Sequence, residues 1–70
     1  MTRYTYHVEM YRPLPLGWRI VSLTRTRSRD YCEGYVDAYD GLYPSQPMKI
    51  VRNDGKLVRE TKGRGAVHTN

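Results

Sequence analysis

The chain has 70 residues, with twelve Lys/Arg against seven Asp/Glu and a formal net charge of +5. That length makes one small domain with a shallow core, and the single cysteine, Cys32, excludes an internal disulfide. No apolar run approaches the ~20 residues of a helix that spans a bilayer, so no membrane-spanning helix is expected, and one thiol without an apolar leader suggests a cytoplasmic protein.

Thr2 to Arg12 reads as a strand, because Tyr4, Tyr6, Val8 and Met10 alternate with Arg3, Thr5, His7 and Glu9. The first set is expected to face a helix. Arg12-Pro-Leu-Pro-Leu-Gly17 breaks the alternation and makes a stiff loop. It is either a long hairpin connection or a contact loop through exposed Leu14 and Leu16. Trp18 to Thr26 is a second strand without a clean face. Trp18 and Ile20 are expected to begin against the core, with a bulge near Ser22 handing that role over. Thr24-Arg-Thr-Arg-Ser-Arg29 is a basic stretch ending at a helix start. It is a solvated strand end or, through Arg25, Arg27 and Arg29, a phosphate or acidic-partner contact.

Ser28 to Pro44 is the most patterned stretch. Tyr31, Tyr35, Tyr39 and Tyr43 follow at intervals of four, the spacing that stacks side chains along one helix face. On a helical wheel Tyr31, Cys32, Tyr35, Val36, Ala38, Tyr39, Leu42 and Tyr43 fill an arc of roughly 160°. Asp30, Glu33, Asp37 and Asp40 fall opposite. Ser28 is the expected N-cap, and Gly41 and Pro44 close the helix. Arg29 to Tyr43 carries one arginine and four acids, a charge of −3, which leaves +8 on the remainder. The molecule is therefore read as dipolar, with an acidic helix face on a basic body. Seven tyrosines and no phenylalanine imply a core near the surface, because each hydroxyl needs a partner or water.

Met48 to Arg52 is a third strand. Asn53-Asp-Gly55 signals a tight hairpin turn, and Lys56 to Glu60 returns as a short charged edge strand. Thr61 to Asn70, with Lys62 and Arg64, reads as a flexible basic tail on a domain of residues 1–60. The expected fold is α+β: an antiparallel sheet of three to four strands in β-β-α-β(-β) order, with one helix on one face. A right-handed crossover gives the order 2-1-3, with the fourth strand outside the third. The uncovered face is expected to carry Arg3, Thr5, His7, Glu9, Arg19 and Lys49, joined by Val21, Leu23 or Val51.

Catalytic and metal signatures are weak. One Cys and two distant His, His7 and His68, do not make a zinc site, and neither phosphate-loop nor dinucleotide motifs occur. Cys32 with His7 is a conceivable nucleophile–base pair, but a small cysteine on an apolar helix face is ordinary core. No catalytic residue, cofactor or metal is expected. Nucleic-acid stacking on the sheet is limited to Tyr11, with Trp18 added if the second strand has the opposite register.

The helix acids Glu33, Asp37 and Asp40, the helix end Tyr43-Pro44 and the basic strand ending at Arg52 together resemble the small host-RNA-polymerase inhibitors of short-tailed phages. The similarity is one of pattern, over residues 6 to 53. It implies a sheet whose cations hold an acidic surface of the host protein, with Arg19, Lys49 and Arg52 in those places. More broadly, the chain looks like the single-domain phage proteins that block host factors, including defence systems. The expected function is non-enzymatic binding and inhibition of a host bacterial protein in the host cytoplasm. The expected contacts are Arg3, Arg19, Lys49, Arg52, Leu14 and Leu16. Two alternatives stand beside it. One is a DNA- or RNA-binding accessory protein using Arg25, Arg27, Arg29, Lys62 and Arg64. The other is a structural component assembling through the open sheet face, as a homodimer or larger.

Overall fold

Alternating apolar and polar residues commit the first part of the chain to strand. The computed structural model describes residues 3–62 and places β1 at Tyr6–Arg12 and β2 at Gly17–Thr26. Helix α1 spans Arg29–Leu42, β3 Met48–Arg52 and β4 Leu57–Thr61. The sheet order is β2-β1-β3-β4, with every neighbouring pair antiparallel. This is the expected α+β arrangement, in which β2, α1 and β3 form a crossover that straddles β1. The expected boundary between domain and tail at residue 60 falls one residue early, because Thr61 belongs to β4, where its hydroxyl accepts from the Met48 N–H at 3.2 Å. Of the rest of that tail, residues 63–70, Arg64 among them, lie outside the described residues.

The core is a single layer between sheet and helix. Val8 and Met10 of β1, Met48 and Ile50 of β3, and Cys32 and Val36 of α1 are all buried. Tyr6, Val21, Tyr35, Tyr39 and Val58 pack around them.

Which face of β2 joins that layer is decided by the hairpin. Arg12 pairs with Gly17 across a four-residue loop, residues 13–16, closed by the Leu16 N–H donating to the Pro13 carbonyl at 3.1 Å. Loop length sets register. Here it places Val21 opposite Val8 and Arg19 opposite Met10, and Ile20 opposite Glu9 and Trp18 opposite Tyr11. The expectation that Trp18 and Ile20 begin against the core is therefore reversed: both stand on the side away from the helix, and Val21 is on the core side. The predicted irregularity does occur. Between Val8/Val21 and Tyr6/Thr26, β1 advances two residues and β2 advances five, which flips the parity of β2. From there Thr24 and Thr26 face inward, and Arg25 faces out. Leu23 is left 68% exposed in the bulge.

Thr24 holds this bulge. It is fully buried, and its hydroxyl accepts from the Val8 N–H at 2.8 Å and donates to the Val21 carbonyl at 2.6 Å. Its carbonyl accepts from the Cys32 thiol at 3.4 Å, so the same residue seats the helix.

Helix α1 starts as expected. The Ser28 side chain caps the Tyr31 N–H at 3.1 Å, and the Tyr43 N–H closes the other end on the Tyr39 carbonyl at 2.8 Å. Its roll differs from expectation. The buried residues are Cys32 and Val36, about 60° on the wheel from the middle of the predicted apolar arc. The helix is turned toward its acidic side. Leu42 and Tyr31 are lifted out, 73% and 49% exposed, and Ala38 is exposed with them. The tyrosines form a ladder beside the core: Tyr35 stacks on Tyr39 at 5.9 Å, and Tyr39 meets Tyr43 at 4.8 Å. Arg59 fits this roll. It lies opposite Ile50, on the core side of β4, and binds Glu33 at 2.7 Å and Asp37 at 2.8 Å.

Replacing Thr24 by Val keeps the shape but leaves the Val8 N–H and the Val21 carbonyl without their partner. The expected cost is about 1–3 kcal/mol, read as a lower urea midpoint. Thr24→Ser keeps both hydrogen bonds and loses one methyl, at about 1 kcal/mol. A Thr24→Val midpoint at or above that of Thr24→Ser counts against the hydroxyl clamp.

Candidate functional site

The sheet face away from the helix is built from register. It presents His7, Glu9 and Tyr11 from β1, Trp18 and Ile20 from β2, Lys49 and Val51 from β3, and Leu57 and Glu60 from β4. Ile20 and Leu57 are 44% and 50% exposed. The polar centre is internally matched. Glu9 accepts from His7 Nε2 at 2.8 Å and faces Lys49 Nζ at 3.8 Å. Lys49 also lies 4.3 Å above the Trp18 ring, and Tyr11 meets that ring edge-on at 5.4 Å. A cation over an indole face is a favourable pairing, and here it occupies a surface a nucleobase would need for stacking.

This is a mixed apolar-aromatic face. The cations expected on it are distributed elsewhere. Arg19 is opposite Met10, and Arg52 is opposite Tyr6, so both belong to the helix side of the sheet. Arg52 is held there: its guanidinium sits 3.8 Å from the Tyr4 ring centre and donates to both Asp54 oxygens, at 2.9 and 2.6 Å. Arg3 is exposed just before β1. Leu14 and Leu16 are 78% and 55% exposed at the hairpin tip, at the opposite end of β1 from Arg3. Of the six expected contact residues, Lys49 is on the open face by register, Arg19 and Arg52 are on the helix side, and Leu14 and Leu16 are at the hairpin tip.

The acidic stripe of the helix is also less free than a solvated face would be. Glu33 takes Arg29 at 3.2 Å as well as Arg59, and Asp37 takes Arg59. The Cys32–His7 pair is not assembled, since Cys32 is in the core and His7 is across the sheet. Burial, and then Glu33 beside it, push the Cys32 thiol up, against nucleophilic character.

The run Arg25, Arg27, Arg29 divides at the start of the helix. Arg29 turns to Glu33. Arg25 and Arg27 line an open groove of about 550 Å³ at the end of the open face, together with Thr5, Tyr6, His7, Ile20, Thr26 and Asn53. The groove exists because the bulge returns Arg25 to the side that carries Ile20. The β3–β4 turn closes its edge, where the Asn53 N–H donates to the Thr5 carbonyl at 2.9 Å. Sequence reasoning found the two arginines but missed Ile20, His7 and Asn53, which only the register brings together. Lys62 follows the end of β4 that pairs with Met48, so it lies at the other end of the sheet.

Among the described residues no three His, Cys, Asp or Glu side chains gather to hold a metal ion, and no helix is long and apolar enough to cross a membrane. No known protein family, curated protein or solved structure matches the chain.

The Arg52–Asp54 pair gives a pH signature. The Asp54 carboxyl is drawn from an ordinary 3.8 down to about 2, first by the Arg52 guanidinium and then by the Lys56 N–H. A carboxylate whose pKa falls on folding contributes stability above its unfolded value and loses it as pH drops through the folded one. The contribution of this turn therefore fades from about pH 4 to about pH 2, and solvent exposure keeps it small. Carboxyl-carbon NMR titration is expected to show the low midpoint in the parent and a return toward the ordinary value in Arg52→Ala. An unchanged midpoint would assign the shift to the Lys56 N–H instead.

Proposed function

We propose that this chain is a non-enzymatic inhibitor that acts by binding, its open sheet face covering a partner protein and blocking it sterically. By its pattern resemblance to the phage polymerase inhibitors, the partner is a host bacterial protein of the transcription or defence machinery. The observation that carries the reading is the uncovered face itself. A four-stranded sheet with its helix on one side leaves Ile20 and Leu57 exposed and Trp18 and Val51 half-buried around a neutralised polar centre. Apolar and aromatic groups inside a polar rim are the makeup of a recognition surface.

The partner chemistry follows from charge. Arg25 and Arg27 stand at one end of the face, and among the described residues neither has a carboxylate partner. A partner presenting apolar side chains flanked by acids complements this arrangement, whereas a second copy of a +5 chain brings the same charge sign to the contact. The sheet cations Arg19 and Arg52, which the resemblance implies as contacts, lie on the other side, so the recognition surface is placed here on the apolar face.

Neighbouring residues on opposite faces make the test sharp. A partner captured from a nuclease-treated bacterial lysate, then purified, is expected to bind Ile20→Glu at least tenfold more weakly, about 1.4 kcal/mol. Arg19→Glu is expected to bind nearly as the parent does. The reverse result moves the surface to the helix side. Sedimentation of the chain alone as a dimer that Ile20→Glu dissolves would replace inhibition with self-assembly.

A further inference from the structure

We infer that the groove at the bulge end of the sheet is a binding site for a phosphate-bearing ligand of nucleotide size. The groove shares Ile20, Arg25 and Arg27 with the face proposed to dock a protein, but its test reads phosphate binding by the chain alone, so it stands or falls independently of that docking.

Arg29 and Arg59 bind Glu33, Arg52 binds Asp54, and Lys49 faces Glu9. Arg25 and Arg27 are not neutralised among the described residues, yet they converge on one concavity. Two residues apart along an extended segment, their Cα atoms are about 6.6 Å from each other. Guanidinium forks at that spacing can hold one anionic group from two sides, and the fork geometry matches phosphate oxygens.

The remaining walls suit more than a bare anion. Ile20 supplies apolar surface. His7 already gives its Nε2 to Glu9 at 2.8 Å; a carboxylate can only accept, so Nε2 carries a proton and Nδ1 is the nitrogen left for a ligand. Asn53 uses its backbone N–H on Thr5 at 2.9 Å, which fixes the residue while leaving its side-chain amide for another partner. An amide that both donates and accepts can read the edge of a planar base. About 550 Å³ lies within the range of small-molecule sites and exceeds what a single acidic side chain needs. Phosphate at the arginines with a flat ring toward Ile20 and Asn53 matches both the charged and the apolar walls of the groove. The ligand is either a free nucleotide or one unit of a single-stranded nucleic acid, which share this chemistry.

The test uses the full chain in titrations followed by NMR amide shifts and calorimetry. The probes are ATP, AMP, inorganic phosphate, a short oligothymidylate and a polyglutamate peptide. Shifts are expected at Thr5, His7, Ile20 and Asn53 with ATP or the oligonucleotide. The Arg25→Ala/Arg27→Ala variant, altered only at exposed positions, is expected to lose tenfold or more in affinity, in line with charge-assisted contacts. Arg29→Ala, which lies outside the groove, is expected to bind as the parent does. Binding of ATP without the oligonucleotide identifies a free nucleotide, and the opposite identifies a nucleic-acid strand; both support a phosphate site. The proposal is overturned if neither binds, if Arg29→Ala weakens binding as much as the double variant, or if polyglutamate binds as tightly as ATP and shifts the same residues.

Discussion

One hydroxyl decides how this sheet is used. Thr24 is buried where β2 carries extra residues against β1, and its oxygen joins the Val8 N–H to the Val21 carbonyl. A bulge reverses which side successive residues take. Before it, Arg19 and Val21 are on the helix side; after it, Arg25 is on the open side with Ile20. With unbroken alternation Arg25 and Arg27 would share the side of Val21, and the groove would have no cations. Because a buried polar atom that loses its partner costs far more than a hydrogen bond gains, the clamp also commits β2 to this single register.

The same economy governs the charges. A chain of net charge +5 could have spread its cations over one face. Instead, Arg59 holds the helix acids, Arg52 rigidifies the β3–β4 turn, and Lys49 settles between Glu9 and Trp18. Surface ion pairs contribute little each, about 0–1 kcal/mol, so their main effect is geometric. They hold four cations in fixed positions, and Arg25 and Arg27, which are not among them, line the groove together.

The element order, the Ser28 cap and the strand order were legible in the sequence because each rests on a local signal: period-two alternation, period-four tyrosines, Asp-Gly, and the handedness of the crossover. What was not legible depended on a parity or an angle. Trp18 and Ile20 were expected inside, and nothing in Gly17–Thr26 alone distinguishes its two faces; the four-residue loop fixes them through the Arg12–Gly17 pair. The helix roll was missed for a similar reason. The wheel shows an aromatic arc, but the small residues Cys32 and Val36 make the close contact, in a roll that also brings Glu33 and Asp37 to Arg59, a cation on a strand that reads as a solvated edge. The acidic face is consequently half structural. The groove was visible only as two arginines, since Ile20, His7 and Asn53 come from three different elements.

The placement of Trp18 has an optical consequence. It is the sole tryptophan, and it lies on the open face beneath an ammonium group 4.3 Å from its ring, far from the layer of Val8, Ile50 and Val36. Indole emission from this chain therefore reports on the polarity and occupancy of the exposed sheet surface and hairpin, while the tyrosines laddered along the helix, Tyr35, Tyr39 and Tyr43, report on the helix side. The indole and the helix tyrosines view opposite faces of one sheet.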